Sequence, residues 1–174
     1  MVLGCGNVLL GDDGAGVWVI EQLRRAYAFP TNVSLVEAGT LGLDLLAEFD
    51  GVERLLVVDA VAAGRAPGDL VRLEGDQVPA VLELKTSPHQ VGLADLLAGA
   101  KLLARWPRQV VLWGVEPALL DPGTRFSPEV QRMLPSLEAA VLDELARWGI
   151  EASPLEDAPP PAPWWFPPTT EGAR

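Results

Sequence analysis

Apolar and polar positions alternate along this chain in two different periods, and the switches between them mark out its elements. "MVLGCG" is a short apolar run entering glycines, as a strand does when it meets a turn; three residues is little for a buried strand, so a few more are expected upstream. In "GAGVWVIEQLRRAY", Val17, Ile20, Leu23 or Arg24, and Tyr27 recur at helical spacing, with Asp12 or Asp13 available as the N-cap. "NVSLVEAGT" reads as a strand ending in a glycine turn, and "LGLDLLAEFD" as a short helix. "RLLVVDAV" and "QVVLWGVEP" are apolar on both faces, as parallel central strands are. "DLVRLEG" alternates like an edge strand, and "VGLADLLAGAKLLARW" predicts an amphipathic helix. "SPEVQRMLPSLEAAVLDELARWG" predicts a long closing helix with Ser127 as cap and Pro128 at its first position, and with a kink or break at Pro135.

The order β-α-β-α-β-β-α-β-α predicts a three-layer α/β/α sandwich: a mostly parallel, twisted sheet with helices on both faces. Residues 1–150 form the expected domain. From 151 the character changes: "EASPLEDAPPPAPWWFPPTTEGAR" holds seven of the 16 prolines and is expected to be a disordered or polyproline-like tail. Its Trp164, Trp165 and Phe166 either dock on a surface or pack locally.

Composition narrows the class. No apolar run approaches the roughly 20 residues that span a bilayer, and "MVLGCGNVLL" lacks the basic start of a signal peptide. The single cysteine, Cys5, excludes an internal disulfide and suits a reducing, cytoplasmic location. A net charge of -11, from 24 acidic and 13 basic residues, argues against nucleic acid and against an anionic membrane surface as partners. A monomer is the expected state.

Three stretches carry candidate chemistry. "GCGNVLLGDDGAG" resembles a dinucleotide-binding turn in Gly4 and Gly6, but position 9 is leucine and two acids stand where phosphate would approach. One aspartate suffices to cap a helix; the second is then a ready cation ligand at a helix N-terminus. "LLVVDAV" ends an apolar strand on Asp59, and ligands of open α/β sheets bind at the carboxyl ends of strands. The only histidine, His89, sits in "TSPHQVGL", read as a loop before a helix at the same edge. Alone it is more often a packed or capping residue than a ligand; with two carboxylates it completes a common set of two oxygens and one nitrogen. Glu37 in "EAGT" could line the same crevice or simply end its strand, and Glu116 in "GVEP" is expected to support the rim. Cys5 lacks a second thiol or an adjacent histidine, which argues against a nucleophilic role.

Taken together, "GCGNVLLGDDGAG", "EAGTLGLDLL", "VVDAV", "SPHQVGLADLLAGAKLL" and "LWGVEP" resemble the hydrogenase maturation proteases, over residues 2 to about 148. The resemblance implies a five-stranded sheet between helices and an endopeptidase that removes a C-terminal extension from the precursor of a [NiFe] hydrogenase large subunit after nickel insertion. It also implies that Asp13, Asp59 and His89 bind the metal, with nickel supplied by the precursor; beside these, Glu37 or Asp12 is the expected assisting base. Many members of that family have aspartate where Glu37 stands. A non-cleaving, metal-recognising chaperone for the same subunit would use the same three residues.

Overall fold

The computed structural model describes residues 1–82 and 88–156, with side chains for all of these except 81, 82 and 88–91. Segment 83–87 and the expected tail from 157 onward, with its Trp-Trp-Phe run, lie outside the described residues.

Strands β1 (Val2–Cys5), β3 (Leu35–Gly39), β4 (Arg54–Ala60), β5 (Leu70–Glu74) and β6 (Gln109–Val115) form one sheet in the order β3-β1-β4-β6-β5. All neighbours run parallel except β5, which is antiparallel to β6 at the edge. Side chains of a strand alternate between faces, and β4 sorts its residues accordingly. Leu55 and Val57 join Leu3, Cys5 and Leu112 in one core, whereas Leu56 and Val58 join Val2, Val111 and Val115 in the other.

The first core is covered by α3 (Pro88–Leu102) and by a 3-10 segment, Leu43–Phe49. Leu93, Leu96, Leu97 and Ala100 of α3 point into it, the i, i+3, i+4, i+7 stripe that the sequence shows. The second is covered by α1 (Ala15–Ala26) and α4 (Pro128–Arg147), whose Val130, Leu134, Leu137, Val141 and Leu145 are buried. The sandwich expected from the pattern is the fold observed.

Several expectations change. "LGLDLLAEFD" is a 3-10 segment, and a short helix α2 (Gln77–Leu82) follows β5. Helix α1 stops at Ala26 because Tyr27 turns extended and starts β2 (Tyr27–Ala28), which pairs with β7 (Ser153–Pro154). The chain past 150 therefore begins as an edge strand, with Leu155 N–H donating to Ala26 O. Ser127 caps α4 as expected, its Oγ accepting from Val130 N at 3.2 Å. Pro135 does not break α4, which runs through it as one element. The proline faces solvent between buried Leu134 and Leu137, so the carbonyl it leaves unpaired within the helix is on the wet side.

Between α4 and the sheet lies a buried acid. Glu144, 1% exposed, accepts from Arg72 Nε and Nη2 at 2.9 Å each, from Trp113 Nε1 at 3.2 Å and from Arg147 Nη1 at 3.0 Å. The forked bond from Arg72 comes first among the causes that hold its carboxyl below the usual range. A lowered carboxyl pKa stabilises the fold above the unfolded value of about 4.3, and that contribution is lost as pH falls through the folded value. Glu144→Gln is accordingly expected to lower stability by about 2 kcal/mol at pH 7. In urea titrations at several pH values, the gap from wild type should close as the solution is acidified below the unfolded carboxylate pKa.

Candidate active site at the carboxyl edge of the sheet

The site is built where β1 and β4 end. Cys5 is the last residue of β1, Asp59 the penultimate residue of β4, opposite Gly114 of β6. Strand alternation puts Asp59 on the face of Leu55 and Val57, the face that α3 covers. Asp59 is fully buried, and its Oδ1 accepts from Ala60 N at 2.8 Å.

Asp13 reaches the same place from the 3-10 turn Gly11–Gly14 that leads into α1. It is 1% exposed, and its Oδ2 accepts from Asn7 N at 2.9 Å, which fixes the carboxylate beneath the loop leaving β1. This loop can close only over glycine. Gly6 has φ +120°, and a Cβ there would collide with the carbonyl oxygen of Asp13. Gly16 is equally constrained, since a Cβ would run into Val58 O, so the start of α1 lies backbone to backbone on β4. The glycines that suggest a phosphate turn in the sequence instead let the chain pack this closely.

Cys5 reports that the two acids share one neighbourhood. Its thiol is pushed well above the usual range, first by burial and then by the negative charges of Asp59 and Asp13. A thiol held protonated is a poor nucleophile, in line with the sequence expectation. Iodoacetamide at pH 8 should leave Cys5 unmodified in the folded protein and alkylate it once the chain is unfolded; intact mass measures both.

His89 is in the second position of α3, not in a loop as the sequence pattern suggests, because the helix begins at Pro88. Its side chain lies outside the described residues. The backbone places this helix start at the site's edge: a Cβ on Gly42, just beyond β3, would lie 3.0 Å from Gly92 Cα, three residues past His89. Gly39 O, at the end of the same strand, accepts from Gly6 N at 2.9 Å.

The two candidate assistants stand elsewhere. Neither Asp12 nor Asp13 caps α1, whose N-cap is Gly14 without a side-chain bond. Asp12 is fully buried and accepts three backbone bonds from distant chain: Ala118 N and Leu119 N at 2.8 Å each, and Ser127 N at 2.7 Å. Both carboxylate oxygens are engaged in this way, and they hold the loop after β6 against the 3-10 turn. Glu37 lies 3.7 Å from Arg24 Nη1, in the last turn of α1 and so away from the carboxyl edge. Glu116 supports the rim as expected, its Oε2 accepting from Ala63 N at 2.8 Å and Arg65 N at 3.1 Å in the loop that follows Asp59. The doubled acid was the one local signal for Asp12; its partners, more than a hundred residues away, left none.

Three charge-assisted bonds exceed one helix cap. Asp12→Asn is expected to destabilise the protein by about 3 kcal/mol in chemical denaturation, against about 1 kcal/mol for a simple cap.

Comparison with known proteins places this geometry in context. The family model for hydrogenase maturation protease (HycI) matches residues 17–144. The hydrogenase 2 maturation protease of Escherichia coli K12 is 39% identical over 158 residues, covering 90% of this chain and 96% of that protein. The hydrogenase expression/formation protein HupD of Rhodobacter capsulatus is 41% identical over 155 residues, covering 88% and 74%. Among solved structures, the hydrogenase maturating endopeptidase HybD from E. coli superposes with a TM-score of 0.85 at 37% identity, covering 90% of this chain and 97% of that one.

Proposed function

Because this chain belongs to the hydrogenase maturation protease family, we propose that it is a nickel-dependent endopeptidase acting on a [NiFe] hydrogenase large-subunit precursor, from which it removes the C-terminal extension after nickel has been inserted. The observation that carries the reading is the pair of buried carboxylates, Asp13 and Asp59, brought together beside Cys5 at the carboxyl edge of the sheet. With His89 at the head of α3 the donor set offered to a cation arriving with the substrate is two carboxylates and one imidazole, suited to a first-row metal.

In this reading nickel is part of the substrate. Asp13 and Asp59 are each oriented by a backbone amide, from Asn7 and Ala60, so they meet the incoming metal without rearranging. Recognition through the metal makes cleavage wait for insertion, and bound nickel would polarise the scissile carbonyl or activate water. The chain's own contribution is to hold the donors and keep the edge rigid. Asp12 and Glu116 do this through the loops they pin, and Glu37 is tied to Arg24 outside the site. No helix among the described residues is long and apolar enough to cross a membrane, and we place the reaction in the cytoplasm, carried out by a monomer.

The decisive experiment incubates the protein with nickel-loaded and with nickel-free precursor and weighs the products by mass spectrometry. Loss of a C-terminal peptide from the loaded form alone is the expected result. Equal cleavage of both forms would overturn nickel dependence, and a bound but uncut loaded precursor would make the protein a chaperone. Asp59→Asn and His89→Ala are each expected to slow cleavage by more than the roughly 10–100-fold that loss of an outer partner costs a metal site, with the circular dichroism spectrum of His89→Ala unchanged.

A further inference from the structure

A helix on the outside of a sandwich turns apolar side chains to the sheet and polar ones to water. α1 and α4 follow this rule, with Arg24 exposed on the first and Arg132, Asp143 and Arg147 exposed on the second. α3 departs from it: residues 92–103, the helix and the turn that ends it, carry only Asp95 and Lys101 as charges. Leu93, Leu96, Leu97 and Ala100 fill the stripe that faces the sheet. The opposite side is apolar as well, with Ala98 exposed and Leu102 86% exposed. Leu103, whose N–H donates to Gly99 O at 3.0 Å, is 53% exposed.

Leu43 extends this face across the seam with the 3-10 segment. Together with Leu46 it lies over Gly99, its Cδ2 3.1 Å from where a Cβ on that glycine would stand, and it remains 56% exposed. Residues 99, 102 and 103 are neighbours at helical spacing, so apolar surface runs without a break from Leu43 over Gly99 to Leu102 and Leu103. No described residue covers it, whereas a helix apolar on all sides is ordinarily covered.

The chain carries a segment of matching chemistry that starts from the same edge. β6 begins at Gln109, shortly after Leu103, so this face lies at the amino edge of the sheet, opposite Asp13 and Asp59. Ser153–Pro154 pairs with Tyr27–Ala28, which follow α1 and precede β3, and Leu155 N donates to Ala26 O at 2.8 Å; the last described residues therefore also leave at the amino edge. Trp164, Trp165 and Phe166 begin eight residues past Glu156, with Pro159, Pro160, Pro161 and Pro163 between. Eight residues at the polyproline rise of about 3.1 Å span about 25 Å, enough to pass two packed layers of roughly 10 Å each. Three aromatic side chains bury on the order of 150–250 Å² apiece, the scale of an exposed patch of a few hundred Å².

We propose that the segment 157–174 returns across the amino edge and seats Trp164, Trp165 and Phe166 on the apolar face formed by Leu43, Leu102 and Leu103. Tethering makes the contact intramolecular, so an effective concentration of order millimolar lets a weak apolar contact hold, and the prolines leave less chain entropy to lose. Covered in this way, α3 offers no apolar surface to a second copy of the chain. The contact is independent of the chemistry at the carboxyl edge.

The test follows chymotrypsin cleavage of the Trp164–Trp165 and Trp165–Phe166 bonds in the full chain by intact mass, for wild type, Leu102→Gln/Leu103→Gln and, at the opposite edge, Leu9→Gln. Cleavage of a docked segment tracks its open fraction, so the Leu102→Gln/Leu103→Gln chain should be cut about tenfold faster than wild type. Leu9→Gln should be cut at the wild-type rate. Leu102→Gln alone, at the most exposed position, should still speed cleavage if the double variant loses its thermal transition. Equal rates for wild type and the α3 variants, whether fast or slow, would overturn the contact. So would wild-type protection that rises with protein concentration alongside a sedimenting dimer, because the segment would then cover a second copy of this chain.

Discussion

A single buried carboxylate holds the carboxyl edge together. Asp12 sits in the turn between β1 and α1, yet its three hydrogen bonds go to residues 118, 119 and 127, beyond the last strand. Without them the loop after β6 and the start of α4 would have backbone donors to satisfy elsewhere, and a buried amide left unpaired costs on the order of 1–3 kcal/mol. Through this acid the first turn and the last loop become one rigid rim, and its neighbour Asp13 inherits a fixed position. The rim's other side is secured in the same way by Glu116 on the loop after Asp59.

The second constraint is distance. With Gly6 and Gly16 the chain brings the start of α1 against the backbones of β1 and β4, close enough that Asp13 and Asp59 both act on the thiol of Cys5. Both acids are buried where they meet. The fold keeps them because surrounding packing is extensive: both faces of the sheet are covered, and β4 is buried from Leu55 to Ala60.

Charge elsewhere is arranged differently. Glu144 is as deeply buried as Asp13 but is met by a forked guanidinium from Arg72 and further donors from Trp113 and Arg147. It joins α4 to the sheet and serves the fold.

Much of this was legible from the order of residues. Strand and helix periods are local properties of the chain, so the sandwich, the edge strand at 70–74, the cap at Ser127 and the apolar stripe of α3 were all visible in the spacing. Asp13 and Asp59 stand out as candidates by their places before a helix and at a strand end, whereas His89, read in a loop, is in the second position of α3. What the pattern left undecided depends on residues far apart. Asp12 reads as a helix cap until the chain folds and brings three amides from more than a hundred residues away; Glu37 reads as a site residue until α1 presents Arg24 to it. Pro135 reads as a break until its place on the wet face is known, and Tyr27 as the end of a helix until β7 returns to pair with it. Periodicity is written in near neighbours, whereas the partner of a buried polar group is chosen by the whole fold, and only the tertiary structure could assign it.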